Sequence, residues 1–231
     1  MINVCDRWAH DHTDNLQAAF FNGVGFESWE NIWGIWNQMT PRDAEALRRI
    51  SRIYRAFSGL LVSMDWTPHA PTLQYGVYAS RFPAAGRTLW TIVNRNEFDI
   101  RDEVIAVEHM QGRRYYDVWN GVEMTPRVDG GRAELSLTLE EHGYGAVLTV
   151  DAGAHVENLS GVLEQMHAWA AKPLQSYSKE WQVLPQRIVE MAPTAPAAGA
   201  PLGMVHIPGG AFEFNVSGIE IEGSDMTGGD V

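Results

Sequence analysis

The chain has very little cysteine and no long apolar run, and both shortages exclude structures. Cys5 is the single cysteine among the 231 residues. An internal disulfide is therefore impossible, and so is a zinc site built on several cysteines. No stretch approaches the roughly 20 apolar residues that a membrane-spanning helix needs. The opening residues also lack the basic start and apolar run of a signal peptide, so we expect any leader of a parent protein to lie upstream.

Positive charge is scarce as well. The formal net charge is −12, and no cluster of Lys and Arg offsets it locally. Such a chain repels phosphate backbones and anionic lipid surfaces, so we expect neither a nucleic-acid nor a membrane partner. Hydrophobic residues make up 45% and charged residues 20% of the chain, which is typical of a folded globular protein.

The first sixty residues predict a strand, a loop and a helix. Residues 19–26 form a short apolar run with glycines, which favours a buried strand. Residues 27–39 are aromatic and polar and predict a long loop. Thr40 can cap a helix, Pro41 suits its first position, and Gly59 would end it. We interpret the arginines of this helix as a solvated face: Arg48, Arg49, Arg52 and Arg55.

The next ninety residues read as short strands separated by turns. Asn120-Gly121 and Asp129-Gly130-Gly131 are strong turn signals. The candidate strands are 60–64, 74–82, 88–95, 103–108, 113–119, 133–139 and 144–150. About seven short strands in this length predict an antiparallel β-sandwich. The predicted fold class is thus mainly β with α.

The remainder divides into a helix, a tether and a further unit. Residues 157–171 predict an amphipathic helix, and 192–201 are an Ala/Pro-rich tether. We therefore expect four segments: a terminal β/α unit of a barrel at 1–58, the β-sandwich at 59–151, helix and linker at 152–200, and a truncated domain at 201–231.

A strand, an aromatic loop and a helix before a β-sandwich match the last β/α unit of a (β/α)₈ barrel with an accessory domain. In such barrels the active site lies on the loops after the strands. Aromatic rings beside amides and carboxylates suit sugar rings, which have flat apolar faces edged with hydroxyls. The predicted substrate-binding residues are Asn22, Trp29, Asn31, Trp33 and Trp36. The tryptophans could equally serve only as loop packing.

Two carboxylates of this segment, Glu27 and Glu30, are the candidate catalytic residues. Glycosidic cleavage usually needs two carboxyl groups about 5 to 9.5 Å apart, a distance that sequence spacing does not establish. The alternative is that one or both bind sugar hydroxyls or hold the loop, while the catalytic pair lies on earlier strands absent from this chain. His10, Asp11, His12 and Asp14 could ligate a metal, but the third ligand is unclear, so we favour a loop with solvated histidines and predict no metal site.

Two stretches resemble known families. Residues 19–34 read AFFNGVGFESWENIWG and precede a Thr-Pro-Arg-Asp helix start, which resembles the end of a glycoside-hydrolase-like barrel of large bacterial proteins. This resemblance implies that Asn22, Glu27, Trp29, Glu30 and Trp33 line a sugar-binding cleft.

The second stretch, residues 204–212, reads MVHIPGGAF. It is similar to the opening strand of the formylglycine-generating enzyme (sulfatase-modifying factor) family, although the Met-Gly-Ser that usually follows is absent. The resemblance implies an oxidising or ligand-binding domain whose active-site residues would lie beyond residue 231.

We therefore expect a piece of a multidomain carbohydrate-active protein, inactive by itself, whose partners are carbohydrate and the missing remainder of its parent chain. No cofactor is expected in this fragment. One alternative is a non-catalytic carbohydrate-binding or structural β-sandwich module. Another is a parent that is chiefly a formylglycine-generating or non-haem-iron oxidising enzyme.

Overall fold

The computed structural model describes residues 3–6, 10–28, 39–182, 188–213 and 215. The chain divides into two compact units, Met1–Pro185 and Gln186–Val231. All helices and strands given below lie in the first unit. The domain boundaries expected from the sequence stay predictions.

The chain begins with two consecutive β/α repeats. Strand β1 (Asn3–Asp6) is followed by helix α1 (Thr13–Asn22), strand β2 (Gly25–Ser28) and helix α2 (Pro41–Leu61). The two strands are parallel, with Asn3 opposite Gly25. A parallel pair needs a crossover connection, and α1 supplies it.

The strand predicted at 19–26 is therefore wrong over most of its length. Leu16, Ala19 and Phe20 are buried at helical spacing, and Gly23 ends α1 in the left-handed conformation at φ 66°. A short apolar run does not distinguish a buried helix from a buried strand, and here the helical spacing extends upstream of the run.

Helix α2 begins as predicted and ends later than predicted. The Thr40 hydroxyl accepts a hydrogen bond from the Asp43 amide, and Pro41 occupies the first turn. The helix continues through Gly59 to Leu61, so the strand predicted at 60–64 is wrong. Leu60 is buried in the core beneath α2, and this burial outweighs the weak helix preference of one glycine.

The arginine face of α2 is only partly solvated, which corrects the sequence interpretation. Arg55 is exposed, but the Arg49 side chain is 1% exposed and pairs with Glu45. The carbonyls of Trp169 and Lys172, more than a hundred residues later in the chain, accept hydrogen bonds from Arg49 and make this burial possible. No local pattern predicts these partners.

The rest of the first unit is mostly antiparallel strand, which confirms the coarse prediction of a mainly β chain with few helices. The strands are β3 (Thr67–Ala70), β4 (Val77–Ala84), β5 (Arg87–Asn94), β6 (Ile100–Glu108), β7 (Arg114–Asp117), β8 (Val122–Met124), β9 (Arg127–Asp129), β10 (Arg132–Leu139) and β11 (Tyr144–Val150). They form a six-stranded sheet, β3-β4-β5-β11-β7-β8, and a three-stranded sheet, β6-β10-β9. Helix α3 (Leu159–Ala170) follows β11.

The six-stranded sheet is buried on both faces. Along β5, Leu89 and Val93 belong to a core shared with the helices, whereas Trp90 and Ile92 belong to a core shared with the three-stranded sheet. This alternation follows from the two-residue period of a strand. The sheet therefore holds the β/α repeats and α3 on one side and the smaller sheet on the other.

Among the described residues 188–213 of the second unit there is no helix or strand, so the opening strand expected at Met204 is not formed there. The side chains of Val205, Ile207 and Phe212 are largely exposed.

Candidate functional site

Two of the seven predicted site residues, Asn22 and Glu27, fall where the structure describes the chain. The others lie outside the described residues: Trp29, Glu30, Asn31, Trp33 and Trp36. Their proposed roles stay predictions.

Glu27 lies near the carboxyl end of β2, on the face turned away from the helices. Its neighbour Phe26 packs against the helix-side core, with its ring 5.5 Å from the ring of His12. Successive strand side chains point to opposite faces, so Glu27 and Gly25 share the other face. The Asn3 carboxamide covers Gly25, where an added Cβ would lie 2.6 Å from Asn3 Oδ1. The face away from the helices therefore carries the polar side chains of Asn3 and Glu27.

The loop after β1 carries a second group at the same edge of this strand pair, because the carboxyl ends of parallel strands meet at one edge. His10 is exposed and stacks on Trp181, with ring centroids 3.9 Å apart and planes 10° from parallel. Sequence analysis missed Trp181, since 171 residues separate it from His10 and nothing local pairs them.

A buried polar network fixes this edge. The Asp43 carboxylate accepts hydrogen bonds from the His12 amide and the Thr40 hydroxyl at 3.0 Å, and from the Thr13 hydroxyl at 3.0 Å. Asp43 and His12 are almost completely buried, so the loop between β1 and α1 is tied directly to the start of α2. His12 therefore has a structural position and is not a solvated histidine.

The adjacent Arg42 connects the β/α repeats to the antiparallel sheets. Its guanidinium donates to the Thr13 hydroxyl at 3.0 Å and to the Glu141 and His142 carbonyls at 3.1 and 2.8 Å. These carbonyls belong to the turn between β10 and β11. Charge-assisted hydrogen bonds of this kind are among the stronger polar contacts in proteins. They hold the β/α repeats on the β region in one orientation.

Asn22 lies away from this edge, in a groove between α1 and the six-stranded sheet. Its side-chain amide donates to the Ala18 carbonyl at 2.8 Å, so it also closes the last turn of α1. The groove holds about 460 Å³ and is lined by Asp14, Phe21, Asn22, His69, Tyr78 and Arg95, among others. We call it the α1 groove. The structure does not unite Asn22 and Glu27 in one described pocket.

The α1 groove combines aromatic rings with a charged rim. The Phe21 ring lies 4.8 Å from the His69 ring, and the His69 ring lies 6.1 Å from the Tyr78 ring. At the rim Arg95 donates to the Asp14 carboxylate at 2.6 Å. This hydrogen bond lowers the pKa of the Asp14 carboxyl and keeps it ionised. Aromatic faces beside polar groups are suited to a saccharide.

Within the described part of the chain, no group of three or more His, Cys, Asp or Glu side chains could hold a metal ion. No helix there has the length and apolar content to cross a membrane.

Comparison with known proteins gave only remote structural matches. No family model and no curated protein matches the chain. An Anoxybacillus α-amylase is 11% identical over 67% of this chain and 39% of its own, with a TM-score of 0.42. The Geobacillus thermoleovorans α-amylase, solved with acarbose, is 11% identical over 66% of this chain and 39% of its own, with a TM-score of 0.44.

A glycoside hydrolase family 30 xylanase from Clostridium acetobutylicum is 12% identical over 62% of this chain and 40% of its own, with a TM-score of 0.36. The chain thus spans about two fifths of the length of these structures. All three are glycoside hydrolases, but TM-scores at this level are too low to assign their fold or activity to this chain.

Proposed function

We propose that the chain forms the C-terminal part of a glycoside-hydrolase-like (β/α) barrel with its β-sandwich, and that its parent acts on carbohydrate. One observation carries this proposal: two parallel β/α repeats present a polar strand face, with Glu27 near the edge where barrel active sites lie. The antiparallel sheets behind the helices would then be the accessory domain.

Glu27 is the described residue best placed to meet a sugar. A carboxylate on an inward strand face can protonate a leaving group, attack the anomeric carbon or accept hydrogen bonds from hydroxyls. Cleavage would need a second carboxyl group, for which Glu30 stays the prediction. A whole barrel needs about 250 residues, so we expect this chain to bind saccharide without cleaving it.

The test is glycan binding by the 231-residue chain and two matched variants. Soluble starch, xylan and arabinogalactan would each be titrated by affinity electrophoresis. Glu27→Gln keeps the size of the side chain and removes its charge, and we expect it to weaken binding at least about tenfold. The control is Glu97→Gln in an exposed turn, which should bind as the parent chain does. Equal affinity of both variants, or no binding to any polysaccharide by the folded chain, would contradict the proposal.

A second candidate function, non-catalytic carbohydrate binding, is favoured by the α1 groove. Here the aromatic rings of Phe21 and Tyr78 would stack on the sugar while Asn22 and Arg95 contact its hydroxyls. Tyr78→Ala should then reduce polysaccharide binding whereas Glu27→Gln has no effect. The matched control is Tyr75→Ala, because Tyr75 is 93% exposed and does not line the groove.

A third candidate, a parent that oxidises substrates through a formylglycine-generating-type domain, is supported only by the motif at 204–212. Sequencing the gene beyond the codon for Val231 tests it. The expected finding is a continuing reading frame with the cysteine or metal-ligand residues of that family. A stop codon directly after Val231 would contradict it.

A further inference from the structure

A second pocket opens between the two antiparallel sheets. It lies where β5 begins and β11 ends, opposite the end of β6 and the start of β10, and it holds about 420 Å³. We call it the inter-sheet pocket. Its polar lining includes Arg81, Thr88, Trp90, Glu108, Arg132 and Thr149. None of these residues belongs to the strand pair or the α1 groove described above.

Trp90 lines this pocket and carries an unused hydrogen-bond donor. The residue is only 9% exposed, and its indole Nε1 is buried without a hydrogen-bond partner among the described residues. The indole nitrogen can only donate. A buried donor left unpaired is costly, so a ligand atom that accepts from it would relieve this cost.

The charges around Trp90 also favour an acceptor. Arg81 lies directly opposite Trp90 on β4, with its guanidinium carbon 6.0 Å from the indole centroid. Within the described chain the Arg81 side chain makes no ion pair and no hydrogen bond. The Arg132 guanidinium donates one hydrogen bond, at 3.2 Å to the Ala106 carbonyl, and lies across the strand pair from Glu108 without an ion pair among the described residues.

Two further charged side chains line the pocket, those of Arg113 and Glu108. Arg113 is neutralised by the Asp151 carboxylate at 2.6 Å and so adds little to the potential. Glu108 is the one carboxylate among the described lining residues, and it opposes the two unpaired guanidinium groups. The pocket therefore keeps an excess of positive charge in a chain whose formal net charge is −12.

The lining is completed by two hydroxyl groups on the six-stranded sheet. Thr88 and Thr149 lie opposite each other on β5 and β11. Thr88 is two residues before Trp90 and so shares its face of the sheet. Hydroxyls both donate and accept, which suits the oxygen atoms of a small polar ligand.

We propose that the inter-sheet pocket binds a compact oxyanion, a carboxylate, sulfate or phosphate group. Arg81 and Arg132 pair with its oxygen atoms, and the Trp90 indole donates to one of them. Planar guanidinium groups match the geometry of such oxyanions and bind them through two parallel hydrogen bonds. The oxyanion could be free or be carried by an acidic saccharide. This inference does not depend on the function proposed for Glu27.

The experiment measures binding of sodium sulfate, sodium phosphate and sodium D-glucuronate to the full chain by isothermal titration calorimetry at low ionic strength, with sodium chloride as the reference salt. We expect saturable binding of at least one of the three oxyanions. Similar affinity for all three assigns the site to a free oxyanion, and preference for glucuronate assigns it to an acidic saccharide. Either result supports the proposal.

Variants distinguish oxyanion binding in the pocket from non-specific electrostatic attraction to the chain. Arg81→Gln and Arg132→Gln should each weaken binding at least about tenfold, and Trp90→Phe, which keeps the packing and removes the donor, about fivefold. The matched control is Arg101→Gln, because Arg101 is 71% exposed and pairs with Asp99 outside the pocket. Circular dichroism establishes that each variant is folded. Absence of saturable binding, or equal affinity in Arg81→Gln and Arg101→Gln, would overturn the proposal.

Discussion

Replacing Arg49 by alanine tests how α3 is held on α2. Its guanidinium donates to Glu45 at 2.8 Å and to the carbonyls of Trp169 and Lys172 at 2.8 and 2.7 Å. These carbonyls are at the end of α3, where helix acceptors lack partners within the helix. Arg49→Ala would remove the guanidinium from both carbonyls, although the Lys172 amide also donates to the Trp169 carbonyl at 3.3 Å, so the change affects α2 and α3 together.

The expected magnitude follows from those contacts. Glu45 keeps its second partner, because Arg48 donates two hydrogen bonds to it at 2.7 Å. The loss is therefore mainly that of the two carbonyl bonds and of one side of a buried ion pair. Because Glu45 stays paired with Arg48, the loss of these contacts costs about 2–4 kcal/mol of unfolding free energy. For a unit of this size that corresponds to a fall of roughly 4–16 °C in Tm.

Urea unfolding followed by tryptophan fluorescence and far-UV circular dichroism would measure the change. Arg55→Ala, on an exposed position of the same helix, is the matched control and should change stability by less than about 0.5 kcal/mol. Arg49→Lys keeps the charge but lacks the planar guanidinium with its several donors, so its unfolding free energy should lie between those of the two alanine variants. If Arg49→Ala lies within about 1 kcal/mol of Arg55→Ala, the buried contacts do not contribute as described.

Three further changes test other parts of the fold. Burial raises the pKa of the Asp117 carboxyl to about 6, above its usual 3.8, so ionisation disfavours the folded chain. Between about pH 4 and pH 6 this group should lower the unfolding free energy by up to about 3 kcal/mol as pH rises. In Asp117→Asn the unfolding free energy, measured by urea at pH 4 and pH 7, should lack this decrease. If the variant and the parent chain lose the same unfolding free energy between the two pH values, Asp117 does not have the raised pKa. Thr40→Ala removes the cap of α2 and should cost about 1–2 kcal/mol in the same assay, whereas no change would mean that the Asp43 amide finds another partner. Gly121 has φ 68°, and an added Cβ would meet backbone atoms of α3, so Gly121→Ala should destabilise by about 2–4 kcal/mol; an unchanged Tm would show that α3 moves freely.

Local pattern predicted six of the described antiparallel strands but not β3, β8 and β9. Tyr144–Val150 has the bounds expected for it, and β10 begins one residue before its expected start. Alternating apolar residues and glycine-containing turns are signals between residues close together in the chain, so they can be recognised without knowledge of the fold. The start of α2 was predictable for the same reason, because Thr40 and Pro41 act on the first turn of the helix alone.

The candidate site was predictable only in part. Glu27 and Asn22 both lie in the described part of the chain, but not together. Glu27 lies near an edge of the parallel strand pair, whereas Asn22 lines the α1 groove. The error over 19–22 caused this, since a helix there carries Asn22 to the far end of the crossover. The stack of Trp181 on His10 and the carbonyl partners of Arg49 depend on residues more than a hundred positions away.

The sequence by itself determined the class of this protein: a mainly β chain with a capped helix, a strongly negative charge and no internal disulfide. The tertiary structure alone decided that the apolar run at 19–22 ends a crossover helix, that Arg49 is buried, and that Trp90 and Arg81 meet in one pocket. The physical reason is the range of the forces involved. Turn and cap preferences act between neighbours, whereas burial and ion pairing depend on residues that only the folded chain brings together.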